Sequence, residues 1–221
     1  MSVLVLLAAV IHSPVVDAQT ATSNAPPINA PTGKASTKAD TITYENVPYG
    51  VSFRYPKNFR VRTGTQNLEV YWWLAGEDDG YRAQPDRVSL VTVDMPSDAY
   101  PGTGFGGAFI NVSVNESLDR NACFALLPPT DKPVAETVIN GVHYVWTSDG
   151  GVLNRGTENS EDDYVAYENG ICYEVTLGTY DMFSNAADNA PVLLPLDHGD
   201  IRRRLNAVLW SLKIRPSSAN S

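Results

Sequence analysis

Two Asn-Gly pairs, Asn140-Gly141 and Asn169-Gly170, each stand between runs of alternating apolar residues. Asn and Gly both tolerate positive φ, so this dipeptide suits the two-residue type I′ turn that joins neighbouring antiparallel strands. The flanking runs, Val134 to Ile139 with Gly141 to Thr147, and Tyr164 to Glu168 with Ile171 to Leu177, therefore read as two hairpins. Other runs share the period of two. Tyr49 to Tyr55 places Val51, Phe53 and Tyr55 on one face, and Ala108 to Val114 places Ala108, Ile110, Val112 and Val114 together. Asn67 to Leu74 sets Leu68, Val70, Trp72 and Leu74 against Glu69, Tyr71 and Trp73. Val88 to Val93 is continuously apolar enough for a central strand. The sheet is antiparallel.

Helical signals are fewer. Asn115 can cap a short helix over Glu116 to Phe124. A longer one spans about Asp197 to Leu212, with Ile201, Leu205, Val208, Leu209 and Leu212 on one stripe and an Asp200–Arg204 pair on the surface. A closing strand follows from Leu212 to Arg215. Strands first and one long helix last point to an α+β sandwich.

The N-terminus sets the compartment. Val3 to Ile11 is an apolar run of nine residues, followed by Pro14 and the small-residue site Val16-Asp17-Ala18. It fits a signal segment over 1–18 and is far short of the ~20 residues of a spanning helix. No Lys or Arg precedes it, so the leader is atypical or the start is set too far downstream. Residues 19–40 are Ala, Thr, Ser, Pro and Asn, with too little apolar surface to offset the entropy of ordering, and read as a disordered linker. The folded domain is expected over 41–215, with a flexible tail at 216–221. Cys123 and Cys172 are the only cysteines, lack CxxC spacing, and in an exported chain are expected to pair as a disulfide. A net charge of −9 disfavours nucleic acid as a partner.

The chain resembles PsbP-like domains in Tyr49-Gly50-Val51-Ser52-Phe53-Arg54-Tyr55-Pro56-Lys57-Asn58-Phe59 and in its ending, Leu205 to Ile214. Ile139-Asn140-Gly141 and Asn169 to Glu174 are similar to exported bacterial members of unknown function. The resemblance covers about Tyr44 to Ile214. It implies an antiparallel sheet flanked by helices, an α/β/α sandwich, and accessory or protein-binding roles. No residue matches a photosystem partner site, and none is carried over.

Catalytic motifs are weak. Gly102 to Gly107 satisfies GxGxxG, but Pro96 and Pro101 break the approach and the exit is β-branched, so it reads as a turn. His143 alternates against Val142, Tyr144 and Trp146 and reads as a surface or satisfied core residue, His198 opens the last helix, and no GxSxG elbow or HExxH occurs. The clusters Glu77-Asp78-Asp79 and Glu161-Asp162-Asp163 read as solvated loops, with cation binding or acid–base work as alternatives. The sequons at Asn111 and Asn115 read as chance matches. Candidate binding residues are Tyr71 and Trp73, opposite the apolar face of their strand, and the carboxylates Asp162 and Asp163. The expectation is a periplasmic or secreted accessory protein that binds a protein or small ligand in the cell envelope. It needs no cofactor or metal and makes no stable membrane insertion after signal cleavage. The alternatives are a carboxylate-dependent hydrolase using the Asp162-Asp163 segment and a structural envelope protein.

Overall fold

Alternation dictates how the middle of the chain folds. In the computed structural model, which describes residues 40–64, 86–127, 133–154, 157–182 and 193–215, period-two runs become ten strands in two antiparallel sheets. The strands are β1 (Thr41–Asn46), β2 (Val51–Pro56), β3 (Arg60–Arg62), β4 (Arg87–Met95), β5 (Phe105–Asn115), β6 (Ala135–Ile139), β7 (Val142–Asn154), β8 (Thr157–Glu168), β9 (Ile171–Met182) and β10 (Lys213–Ile214). The larger sheet runs β3-β4-β5-β9-β8-β7-β6, and the smaller one β1-β2-β10. Asn140, Gly141, Asn169 and Gly170 all have positive φ, as the type I′ reading requires. β4 lies beside the short edge strand β3, away from the centre that β9 occupies.

Two α-helices are present among the described residues: α1 (Arg120–Phe124) and α2 (His198–Leu209). The expected helix-flanked α/β/α sandwich is therefore corrected to a mostly β architecture. The reason is local. The helix expected over Glu116 to Phe124 shrinks to five residues, because Asn115 spends its carbonyl oxygen on Ser117, and Asp119 caps α1 through Ala122 N. What the helical stripe of α2 does not cover, the smaller sheet does. Val51, Phe53 and Tyr55 from β2 join Ile201, Leu205, Val208, Leu209 and Leu212 in one core with the inward residues of β4, β5, β8 and β9. Each such apolar side chain contributes roughly 1.5–3 kcal/mol on burial. Asp200 pairs with Arg203 and accepts from Tyr100, while Arg204 lies over Phe59 and Tyr100, so the expected Asp200–Arg204 pair does not form.

Cys123 and Cys172 are bonded, with Cα atoms 5.5 Å apart, and fasten α1 to β9. Val165, Leu118, Phe124 and Tyr167 pack around the bridge as a second, smaller apolar cluster. No helix among the described residues is long and apolar enough to cross a membrane.

The core also carries buried phenols. Tyr173 donates to Tyr49 O at 3.0 Å, and burial, aided by Glu168, pushes its pKa up to about 12. Burial raises Tyr144 and Tyr164 in the same direction. Between pH 10 and 12 the unfolded chain loses these protons while the folded one keeps them, so folding is favoured fully below pH 10 and progressively less above it. Thermal midpoints measured from pH 8 to 12 are expected to hold flat to about 10 and then fall, with the tyrosinate absorbance of these buried phenols appearing only as the fold is lost. Free titration of every tyrosine near pH 10 would refute this.

Candidate functional site

The smaller sheet has a second face. With Val51, Phe53 and Tyr55 turned inward, alternation turns Ser52 and Arg54 outward. The registers Glu45↔Ser52, Thr43↔Arg54 and Lys213↔Ser52 set Thr43, Glu45 and Lys213 on that same outer face. Arg215 follows β10, held by its N–H donating to Gly50 O at 3.0 Å. Gly50 has φ +64, and a Cβ there would stand 2.1 Å from Arg215 O, so only glycine lets the chain close here. The rim comes from Trp210 and Ser211 at the end of α2 and from Asn140 in the β6–β7 turn. Asn140 Nδ2 donates to Trp210 O at 2.9 Å and Leu212 O at 2.6 Å. Ser211 Oγ accepts from Arg54 N at 2.8 Å.

These residues line an open cavity of about 570 Å³. Three cations, Arg54, Lys213 and Arg215, face it with one carboxylate, Glu45. None of the four enters an ion pair among the described residues. On a chain of net charge −9 this is a local inversion of sign. Half-buried Trp210 adds an aromatic wall against the core. Such a surface can hold anions by charge-assisted hydrogen bonds and a ring by stacking.

The residues expected from sequence lie elsewhere. Tyr71 and Trp73, like Glu77-Asp78-Asp79, fall outside the described residues. Asp162 and Asp163 are in strand β8, where a solvated loop was expected, and as neighbours in a strand they point to opposite faces. Asp162 accepts from Arg202 of α2. Asp163 accepts from Thr176 Oγ1 at 2.7 Å and is 3% exposed. They do not form a carboxylate pair.

Asp163 instead joins a buried polar row on the far face of the larger sheet, with Thr92, Asn111, Ser113, Glu174 and Thr176. Arg87 Nε donates to Ser113 Oγ at 2.9 Å and lies 3.4 Å from Glu174 Oε1. Asn111 Nδ2 contacts Ser89 Oγ, Val91 O and Thr92 Oγ1. Its 0% exposure, and the 1% of Asn115, close both sequons to glycosylation of the folded chain. His143 is exposed against Glu136, and His198 lies 3.4 Å from Asp181. No group of three or more His, Cys, Asp or Glu among the described residues is arranged to hold a metal ion.

Sequence reasoning missed the groove because Arg54 and Lys213 are about as far apart in the chain as two residues of one domain can be. A signal was available. Arg54 sits opposite Phe53, and Lys213 and Arg215 alternate with Ile214, so each cation was legible as outward-facing once its segment was read as a strand.

Fold and groove together define a disulfide-bridged, mostly β domain with a cationic surface cleft. No family model matches the chain, and no curated protein matches it. Among solved structures, a crystal structure from Bacteroides thetaiotaomicron VPI-5482 at 1.50 Å resolution is similar to 81% of this chain, at 12% identity and a TM-score of 0.45. The chain spans half the length, 50%, of that one.

Proposed function

We propose that this is an exported binding protein, without catalytic machinery, that takes an anionic ligand in the groove on the outer face of β1-β2-β10. The observation that carries it is the convergence of Arg54, Lys213 and Arg215, none ion-paired among the described residues, beside Trp210. The buried disulfide and the absence of a spanning helix among the described residues fit a periplasmic or secreted location. The PsbP-like resemblance points toward an accessory role as well. A hydrolase built on Asp162 and Asp163 loses its support, since the two side chains occupy opposite faces of β8.

The test is a titration of the full chain at low salt with inorganic phosphate, citrate, polyglutamate and oligogalacturonate, followed by NMR. At least one probe is expected to shift the Trp210 indole and the amides of 52–54 and 211–215. The double variant Arg54→Glu/Lys213→Glu is expected to weaken that binding tenfold or more, since each lost charge-assisted contact is worth about 1.5–3 kcal/mol. Both side chains are exposed, so the variant's thermal midpoint should stay near that of the parent. If no anion moves the groove resonances, the proposal fails.

A further inference from the structure

Resting on that anion-groove reading, we infer that the ligand is an acidic glycan, whose sugar ring stacks on Trp210 while its carboxylates meet Arg54, Lys213 and Arg215. Three features of the groove choose this class over other anions. The first is spacing. Lys213 and Arg215 are two residues apart on one strand path, roughly 7 Å, and Arg54, on the neighbouring β2 beside Ser211, lies about the same distance further along. Cations spaced along that line match anionic groups repeated along an oligomer, one per sugar unit.

The second feature is what the groove lacks. Compact phosphates are commonly held at helix N-termini or nests of backbone N–H groups, with Arg and Lys in support. Here the helix end on the rim is the C-terminus of α2, whose partial charge is negative, and two carbonyls there, Trp210 O and Leu212 O, already accept from Asn140. That end repels an anion and accommodates a neutral ring with hydroxyl donors. The ligand is therefore polarised, with its ring toward Trp210 and its charge toward β2 and β10.

The third feature is the mixed floor. Thr43 and Ser52 carry hydroxyls with no hydrogen-bond partner among the described residues, and Glu45 is an unpaired carboxylate beside them. A polyanion without hydroxyl donors gains nothing from Glu45 and is repelled by it. A sugar gains from it, because its hydroxyls donate to a carboxylate and exchange hydrogen bonds with Thr43 and Ser52. An acidic peptide such as polyglutamate meets the cations but carries no ring to stack on Trp210.

The experiment titrates the full chain with tetragalacturonate, with its uncharged counterpart tetragalactose, and with polyglutamate and inorganic phosphate. Binding is read by calorimetry and by the groove amides in NMR. Tetragalacturonate is expected to bind at least tenfold more tightly than each of the other three. Lys213→Glu is expected to cut its affinity tenfold or more, and Glu45→Gln and Trp210→Phe severalfold each. Because Trp210 also touches the core, Trp210→Phe is accompanied by a thermal melt, and Glu45→Gln, on an exposed side chain, gives the independent reading. Polyglutamate or phosphate binding the groove as tightly as tetragalacturonate would overturn the glycan assignment and leave the anion groove standing. Tetragalactose binding as tightly as the acid, or no groove shift with any anion, would overturn both.

Discussion

Replacing Cys123 and Cys172 together by serine is expected to lower the free energy of unfolding by about 4 kcal/mol on the chain-entropy model of cross-links. The two cysteines are 49 residues apart, and the loop they close contains β6, β7 and β8. Without the bond the unfolded chain recovers the conformations that closure denies it. The folded state loses as well. Both sulfurs lie in a fully buried cluster with Val165, so serine would set two hydroxyls in an apolar site. α1 suffers most, because five residues are too few to hold a helix without tertiary support. Urea unfolding of the parent with and without reductant, beside the double variant, measures the effect. The reduced parent and the variant should agree with each other and fall well below the oxidised protein. Amide exchange should show 118–127 opening first. An oxidised protein no more stable than the variant would contradict both the entropy argument and the fastening of α1.

How much of this was legible in the sequence follows from how local each interaction is. The two Asn-Gly turns, the inward set Val51, Phe53 and Tyr55 and the stripe of α2 from Ile201 to Leu209 depend on residues within a few positions of one another and stand in the structure, although the helix ends at Leu209 and leaves Leu212 beyond it. The far end of β8 did not. Glu161-Asp162-Asp163 reads as a loop because charge opposes burial, yet the strand continues through it. Arg202 from α2 meets Asp162 on one face, and Thr176 from β9 meets Asp163 on the other. Those partners come from other elements, so no window of sequence contains the reason. The smaller sheet is the extreme case. β2 pairs with β10 across some 160 residues, and the small sheet so formed shares with α2 the cover of the larger sheet, where helices were expected. The groove inherits the same difficulty, since it exists only once β2 and β10 lie side by side.

Phe53→Ala is expected to cost about 3–5 kcal/mol, the usual range for emptying a buried aromatic site. Phe53 is 2% exposed, its ring 5.1 Å from that of Tyr44 and 6.2 Å from that of Tyr55. It sits on the central strand of a sheet of only three, which depends on its apolar face for stability. The cavity would be walled by strand backbone and α2, neither of which can collapse without breaking pairing elsewhere, so the cost belongs at the upper end. Phe53→Leu keeps most of the volume and should cost under about 1.5 kcal/mol. Chemical denaturation of both variants tests the pair of values, and a Phe53→Ala loss below about 1 kcal/mol would mean the smaller sheet is not anchored through this ring. The same substitution reports on function. Ser52 and Arg54, which flank Phe53, form the groove floor, so loosening β2 should weaken ligand binding together with stability. Arg54→Glu should weaken binding while leaving stability in place. One strand carries both, its two faces separated by nothing more than the alternation of its side chains.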